Sequence, residues 1–491
     1  MERTTADWKT TTFGKTGWKV GRIGLASAPE GKVRSFWDSK SKSQLNSHSM
    51  KKICLLGVSL FLVGFSLIAQ NNAPVPDPAL LTEIRQMRII DNHAHPPALV
   101  NPGEKDDNFD ALPCDPLEPT DPPATLREGN PIYLQAWKAL WHYPYDDASP
   151  DHIKELLATK QRIQKEQGNN YPNWVLDQLG IETELANRIA LGRGQAPPRF
   201  RWVPFDDTLL FPLSNTALAG QSPDRKIFFR REEMLRERCL RQIGMPALPA
   251  TLAEYTSQVV TPLLEAQRKN GAVAIKFEAA YLRSLDFSPA DEAQAQAIYQ
   301  QYVKGGVPSG AQYKVLQDYL MRYIAREAGR LHMPVHFHTG GGCGGYFNLQ
   351  GSNPVLLESL FNDPSLRKTN FVMVHAGAGN YDTLVPYLLM KPNVYADFSE
   401  QTWIIAPHHM SQAIRYMLES YPEKVLFGTD LFPGTPQIDW EEIGYQTVEG
   451  GRSALALALT GMLRDGEITR AQATSIAHMV LSDNASKLYG W

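Results

Sequence analysis

From about residue 84 onward, short runs rich in Val, Ile and Phe alternate with longer stretches of helical periodicity. This alternation is typical of parallel strands joined by crossover helices, such as those predicted at residues 313–331 and 410–420. The pattern predicts eight strands, at residues 87–91, 181–187, 199–205, 273–277, 334–338, 370–375, 393–398 and 424–430. Eight such units can close on themselves, so we expect an α/β fold of the TIM (β/α)8 barrel type. An open doubly wound sheet is the alternative.

Two intervals between predicted strands, residues 96–180 and 206–270, are too long to be simple connections. Each follows a strand, so each is expected as a helical insertion on the catalytic face of a distorted barrel that spans residues 84–491. The first insertion carries an aromatic helix around Trp137 and Trp141. One interpretation is that this insertion forms a lid or a pocket wall. The alternative is that its aromatic residues form a small core of the insertion itself.

A different pattern precedes the barrel. Met50 and two lysines are followed by an apolar run at residues 53–69 and then by polar residues. This order predicts a signal peptide at residues 50–70, and therefore a periplasmic or secreted protein. The run is marginal in length for a membrane span, and an uncleaved anchor helix is the alternative. Contact with a membrane is expected only through this segment.

Residues 1–49 are rich in Ser, Thr and Lys and lack sustained periodicity, which predicts a disordered upstream extension. Residues 11–25 resemble the opening of aldo/keto reductases, but the stretch is far too short to bring that activity. We therefore hypothesise that translation starts at Met50.

Composition and charge narrow the class of partner. The chain has 491 residues, of which 43% are hydrophobic and 21% charged, and its formal net charge is −3. The absence of a basic cluster argues against a nucleic-acid partner, so a small-molecule substrate is expected, and a homo-oligomer stays open. The four cysteines form no CxxC pair, which argues against a zinc–cysteine site but allows one disulfide. Cys343, in the glycine-rich stretch 340–345, is interpreted as incidental.

Histidines concentrate where predicted strands end. Of 12 histidines, five lie at such ends: His93, His95, His336, His338 and His375. Residues two apart on a strand point to the same face, so His93 and His95 can bind one ion together. His336 and His338 repeat the spacing, and His338, nearer the strand end, is the better ligand. In a barrel these ends converge on one face.

Asp430 ends the eighth predicted strand and completes the candidate metal site. Imidazoles and a carboxylate suit a divalent ion, with zinc the first choice and manganese or iron(II) as alternatives. Such an ion polarises a carbonyl and lowers the pKa of water. Asp430 is expected to bind the ion through one oxygen and to take a proton on the other, which makes it a catalytic residue. One ion is expected, with a second left open.

Three further residues near the fourth predicted strand are candidates for second-metal or substrate binding. Lys276 should point into the barrel mouth, where it is carbamylated and bridges two metals, binds a substrate carboxylate as an ammonium, or pairs with Glu278. The guanidinium of Arg283 is a candidate for bidentate binding of a substrate carboxylate. The alternative is that Arg283 lies on the surface. Tyr281 is a candidate substrate-binding residue beside it.

These pieces together resemble the amidohydrolase superfamily, in its amidohydrolase-related branch. The matching stretches are IIDNHAHP, PVHFHTG, FVMVHAGAG, NVYADFS, VLFGTD and the terminal NASKLY, over residues about 87–490. The chain is most similar to the amidohydrolase domains fused to glutamine synthetase-like domains in nodulin-type proteins, where the FK…AAY…R stretch is also familiar. It carries no glutamine synthetase segment.

The resemblance implies a distorted TIM barrel with four metal-site residues: His93, His95, His338 and Asp430. His375 would be a second-metal ligand or would polarise the substrate carbonyl. Lys276 and His336 stay candidates for a second metal or for the substrate. The implied activity is metal-dependent hydrolysis of an amide, ester or lactone bond in a small, carboxylate-bearing substrate. The alternatives are a metal-dependent non-oxidative decarboxylase and a non-catalytic metal-binding protein, because fold and metal do not separate these functions.

Overall fold

The computed structural model describes residues 11–13, 18–20, 74–101, 103–377 and 381–491. The predicted signal peptide at residues 50–70 lies outside the described residues, as does most of the predicted extension at residues 1–49. In that extension two short strands, β1 (Thr11–Phe13) and β2 (Trp18–Val20), form a two-stranded sheet. Within the described ranges, no helix combines the length and the hydrophobicity that a membrane span needs.

The strands of the main body are β3 Ile89–Ala94, β4 Ile181–Asn187, β5 Phe200–Val203, β6 Ile275–Phe277, β7 Val335–His338, β8 Phe371–Val374, β9 Val394–Asp397 and β10 Val425–Leu426. All pairs are parallel, in one sheet of order β3-β4-β5 and another of order β10-β9-β8-β7-β6. Each of the eight predicted strands is therefore confirmed, although β3 begins later than predicted and most others are shorter.

Hydrogen bonds link the two sheets at both pairs of edges. An isolated parallel bridge joins Phe205, after β5, to Lys276 on β6. At the other pair of edges, the Asp430 N–H donates to the carbonyl of His93 over 2.7 Å. The order of neighbours around the ring therefore follows the order of the strands in the chain. This is the arrangement of a distorted parallel α/β barrel.

Helices occupy the connections between these strands. The α-helices of the described main body are α1 Pro78–Gln86, α2 Pro131–Trp141, α3 Pro150–Gln167, α4 Tyr171–Leu179, α5 Thr216–Ala219, α6 Pro223–Gln242, α7 Leu252–Tyr255, α8 Thr261–Lys269, α9 Ala279–Leu282, α10 Glu292–Tyr302, α11 Gly310–Arg330, α12 Glu358–Phe361, α13 Val385–Leu389, α14 Gln401–Ile404, α15 Pro407–Ser420, α16 Trp440–Arg464, α17 Arg470–His478 and α18 Asn484–Tyr489. The predicted helices at residues 313–331 and 410–420 correspond to α11 and α15. Ser309 and Gln312 form a capping box that begins α11.

The alternating side chains of each strand divide between two apolar cores. On β8, Val372 and Val374 pack in a small cluster with residues contributed by the other strands, such as Leu185. Phe371 and Met373 pack in the large cluster that includes the helices. Both faces of the strand are therefore buried, which explains why the strand reads as a continuous apolar run.

The first insertion is tied firmly to the rest of the main body. Trp137 and Trp141 are buried in the large core cluster, so the aromatic helix packs as core rather than standing open as a pocket wall. Lys160 of α3 forms a buried ion pair with Glu442 of α16 over 2.8 Å. A disulfide joins Cys114 to Cys343. The interpretation of Cys343 as incidental is therefore wrong.

Candidate metal centre

The end of β3 and the loop after β10 are fastened together by one buried carboxylate. Asp91 accepts hydrogen bonds from the Thr429 backbone N–H over 2.9 Å and from the Thr429 hydroxyl over 2.5 Å. It also accepts from the backbone N–H of His93 over 3.2 Å. These bonds bring Asp430 directly beside His93, although 336 residues of chain lie between them.

His93, His375 and Asp430 form the first group of candidate metal ligands. One ligand atom from each lies within 4.8 Å of the others. His93 Nε2 is 3.1 Å from Asp430 Oδ1, and His95 Nε2 is 3.5 Å from the same oxygen. The backbone of His375 (φ 69°) and that of Asp430 (φ 56°) are left-handed. Non-glycine residues seldom adopt this conformation, and those that do concentrate at functional sites.

His338 reaches this group through His375. The Nδ1 of His338 lies 3.1 Å from His375 Nε2, and its Nε2 lies 2.5 Å from the carbonyl of Gly341. The other nitrogen of His375, Nδ1, is 2.9 Å from the Ser399 hydroxyl, which in turn bonds to Asp397. Partners of this kind fix the orientation of a ligand imidazole. His338 therefore lies behind His375 when viewed from His93.

His336 points to a different neighbour. Its Nε2 lies 2.8 Å from the hydroxyl of Tyr489, which also donates to the side chain of Asn92. Tyr489 belongs to the terminal NASKLY stretch, so this segment reaches into the barrel. The structure thus places His336 against the C-terminal helix rather than against His338.

Lys276, which was predicted to point into the barrel mouth, is completely buried. Its Nζ lies 3.3 Å from His93 Nε2. Carbamylation, binding of a substrate carboxylate and structural pairing with Glu278 all stay predictions for this lysine.

Tyr281 and Arg283 differ in their relation to the cluster. The ring of Tyr281 packs against His338, with centroids 4.7 Å apart. Arg283 is buried, so the alternative of a surface arginine is wrong. Its guanidinium donates to Asp318 over 2.7 Å and to Gln317 over 2.8 Å. These bonds occupy the guanidinium donors that were predicted to bind a substrate carboxylate.

Burial favours the neutral form of four histidines at the centre, because it lowers their pKa. It lowers the pKa of His93 and of His375 well below the ordinary value, and that of His336 and His338 to about 3. Burial has the opposite effect on Asp430 and raises its pKa well above the ordinary value, assisted by the nearby Glu400. Neutral imidazoles are the form that binds metal, and a buried carboxylate gains most from a cation beside it.

A second group of candidate ligands adjoins the first. It consists of His95, Asp110 and Glu278, again with one ligand atom from each within 4.8 Å of the others. Sequence reasoning missed Asp110, which comes from the first insertion, and considered Glu278 only as a partner for Lys276. It also missed Glu400, although this carboxylate follows β9 at the same end of the barrel as Asp430. A search for carboxylates after every strand would have found Glu278 and Glu400.

The donors of the first group fit a divalent ion. They are neutral imidazole nitrogens and one carboxylate, which is the set that zinc prefers. The second nitrogen of His93, Nδ1, is buried without a hydrogen-bond partner among the described residues, as is Oε2 of Glu400. Buried polar atoms without partners are costly, and a bound cation would offset part of this cost.

Comparison with protein families gives an independent view of the chain. The family model described as Amidohydrolase matches residues 229–491, which is more than half of the chain. The match begins within α6 and includes Lys276, His338, His375 and Asp430. No match was found among curated proteins.

Solved structures provide similar folds. A protein from Lactobacillus casei ATCC 334, described as a candidate metal-dependent hydrolase, is 17% identical, with 84% of this chain and 97% of that chain covered and a TM-score of 0.50. Uronate isomerase from Thermotoga maritima is 12% identical, with 84% of this chain and 96% of that chain covered and a TM-score of 0.50. At these identities the likeness shows the fold alone.

Proposed function

The chain belongs to the amidohydrolase family, and from this premise we propose that it is a metal-dependent hydrolase of an amide, ester or lactone bond in a small substrate. The observation that carries the proposal is Asp430 Oδ1, which lies 3.1 Å from His93 and 3.5 Å from His95. Its side chain is 13% exposed, whereas that of His93 is fully buried. Asp430 is therefore the more accessible partner of the two and can exchange a proton with a bound substrate.

The residues proposed to hold the ion are His93, His95, His338 and Asp430. His375 lies between His93 and His338, so it either joins them or faces the substrate carbonyl. When bound, a divalent ion, with zinc as first choice, would polarise a carbonyl and lower the pKa of water. The chain's own part is proton transfer: Asp430 accepts a proton from the attacking water and delivers it to the leaving group.

The proposed substrate carries a carboxylate, and Lys276 is its candidate partner in this chain. Arg283 loses that role, because Asp318 and Gln317 occupy its guanidinium. Lys276 lies beside the cluster, with Nζ 3.3 Å from His93 Nε2. Tyr281, packed on His338, would form the adjoining wall.

We also propose that the chain works outside the cytoplasm, in the periplasm or as a secreted protein. The Cys114–Cys343 disulfide supports this, because structural disulfides persist in oxidising compartments. A particular similarity to nodulin-type amidohydrolase domains is likewise part of the proposal and rests on the sequence stretches alone.

Assays of purified Asp430→Asn protein test the proposed reaction. Panels of amides, esters, lactones and aromatic or enoic acids would be screened first with the wild type. We expect a hydrolytic product that includes a new carboxylate, and a rate in the variant lower by roughly 10²–10⁴-fold, the usual contribution of a general acid–base. A near-ultraviolet circular dichroism spectrum unchanged from the wild type would show that the variant folds.

Two outcomes would contradict the proposal. Release of carbon dioxide with no hydrolytic product would assign the decarboxylase alternative. A wild-type rate in Asp430→Asn would remove this carboxylate from the mechanism.

A further inference from the structure

We infer that the chain binds a second divalent cation through His95, Asp110 and Glu278, beside the first group of His93, His375 and Asp430. Each group has its ligand atoms within 4.8 Å of one another. His95 is also a proposed ligand of the first ion, so with both ions bound it would bridge them as an imidazolate, with one nitrogen for each. Two ligand atoms at about 2.1 Å from one ion can be at most roughly 4 Å apart, so small shifts suffice to place a cation among them.

The His95 ring separates the two sites. Its Nε2 faces the first group, 3.3 Å from His93 Nε2. Its Nδ1 faces the second group, 2.9 Å from Asp110 Oδ2. One imidazole nitrogen with two carboxylates is a set of ligands that suits zinc or manganese.

One carboxylate of the second group has an oxygen without a partner. Glu278 is 5% exposed, and its Oε2 has no hydrogen-bond partner among the described residues. Behind it, Asp207 and Glu232 are also buried, with one and two unpartnered oxygens respectively. The second oxygen of Asp207 accepts a hydrogen bond from the Glu278 backbone N–H over 2.7 Å.

Two cations among the described residues act on these carboxylates, but both have other partners. Lys276 attracts Glu278 and Asp207, but its Nζ lies 3.3 Å from His93 Nε2 in the first group. Arg236 attracts Glu232, and it donates to the backbone carbonyl of Phe211 over 2.8 Å. Uncompensated buried carboxylates are costly, and a divalent ion with two positive charges would offset that cost.

The location gives the second ion a role in closing the site. Asp110 belongs to the first insertion, His95 follows β3, and Glu278 follows β6. A cation held by all three would fasten the insertion to the barrel rim beside Asp430. Metal binding at this second site does not depend on the reaction proposed above, so an experiment can exclude either one alone.

Metal titration of the purified chain tests the second site. Protein stripped with a chelator would be titrated with Zn²⁺ and, separately, Mn²⁺, by calorimetry and by elemental analysis after dialysis. We expect two equivalents in the wild type and one in Glu278→Gln and in Asp110→Asn. Glu184→Gln is the matched control, because Glu184 is another fully buried carboxylate with both oxygens unpartnered. It should keep two equivalents.

The variants also separate this inference from the first site. His93→Ala should lose one equivalent and keep the other. A wild type that binds one equivalent, which His93→Ala loses and Glu278→Gln retains, would overturn the second site and leave the first. That result is also the one expected if Asp110 only orients His95.

Diffraction keeps the test decisive if a variant does not fold. Crystals of the wild type grown with Zn²⁺ should show two anomalous peaks, one of them bounded by His95, Asp110 and Glu278. A single peak among His93, His375 and Asp430 would overturn the inference.

Discussion

Replacing both cysteines of the disulfide, in Cys114→Ser/Cys343→Ser, should destabilise the protein markedly. The cysteines are 229 residues apart in sequence, so the bond restricts a very long loop of the unfolded chain. The chain-entropy relation gives about 5 kcal/mol for such a loop, and removal of native disulfides costs about 2–5 kcal/mol. With a urea m-value of roughly 3 kcal/mol/M, a loss of 3 kcal/mol lowers the unfolding midpoint by about 1 M.

Equilibrium unfolding in urea, followed by tryptophan fluorescence without reductant, measures this effect. Cys239→Ser is the control, because Cys239 is a free cysteine and only partly buried. That change should alter the stability by less than about 1 kcal/mol. If the double variant unfolds at the wild-type midpoint, the disulfide does not constrain the chain as argued. The bond also fixes the loop of Gly341, whose carbonyl contacts His338, so weaker metal binding should accompany the loss of stability.

Three further perturbations address the buried polar network. Lys160→Met leaves Glu442 without its ion-pair partner and should cost about 3–5 kcal/mol in urea unfolding; an unchanged midpoint would contradict the pairing. Tyr489→Phe removes the hydroxyl that contacts His336 and Asn92, with an expected cost of about 1–3 kcal/mol by thermal unfolding, and a neutral effect would count against it. In the metal-free protein, His336→Gln/His338→Gln should remove a contribution of about 3 kcal/mol to acid destabilisation between pH 6.5 and pH 5, read as the difference between the variant and wild-type stability profiles. Burial lowers the pKa of His336 and His338 to about 3 in the folded state, so these side chains take up protons in the unfolded chain first as the pH falls; parallel profiles for variant and wild type would refute the argument.

The strands were predictable because their apolar runs are short and rich in β-branched residues. The bounds of β4, Ile181–Asn187, agree with the prediction. The last strand is the main difference, since β10 covers only Val425–Leu426 of the predicted residues 424–430. The reason is local: the Thr429 N–H bonds to the Asp91 carboxylate instead of to a strand carbonyl. Side-chain hydrogen bonds of this kind leave no periodic trace in a sequence.

The first group of ligands was predictable from the same physics. Carboxyl ends of parallel strands meet on one rim, so His93, His375 and Asp430 could be placed on that rim from the sequence, although the predicted ligand set held His95 and His338 in place of His375. Asp110 could not, because the path of a long insertion does not follow from hydrophobic periodicity. The role expected of Arg283 failed for a similar reason. Its partner Asp318 lies on α11, and the sequence does not show that the two side chains meet.

The metal centre itself is tested most directly by elemental analysis of the protein purified without chelator, alongside His93→Ala. We expect a stoichiometric divalent ion in the wild type and one equivalent fewer per chain in the variant. A wild type that carries no such ion and gains none on addition of Zn²⁺ or Mn²⁺ would contradict it. Equal metal content in a folded His93→Ala protein would contradict it as well.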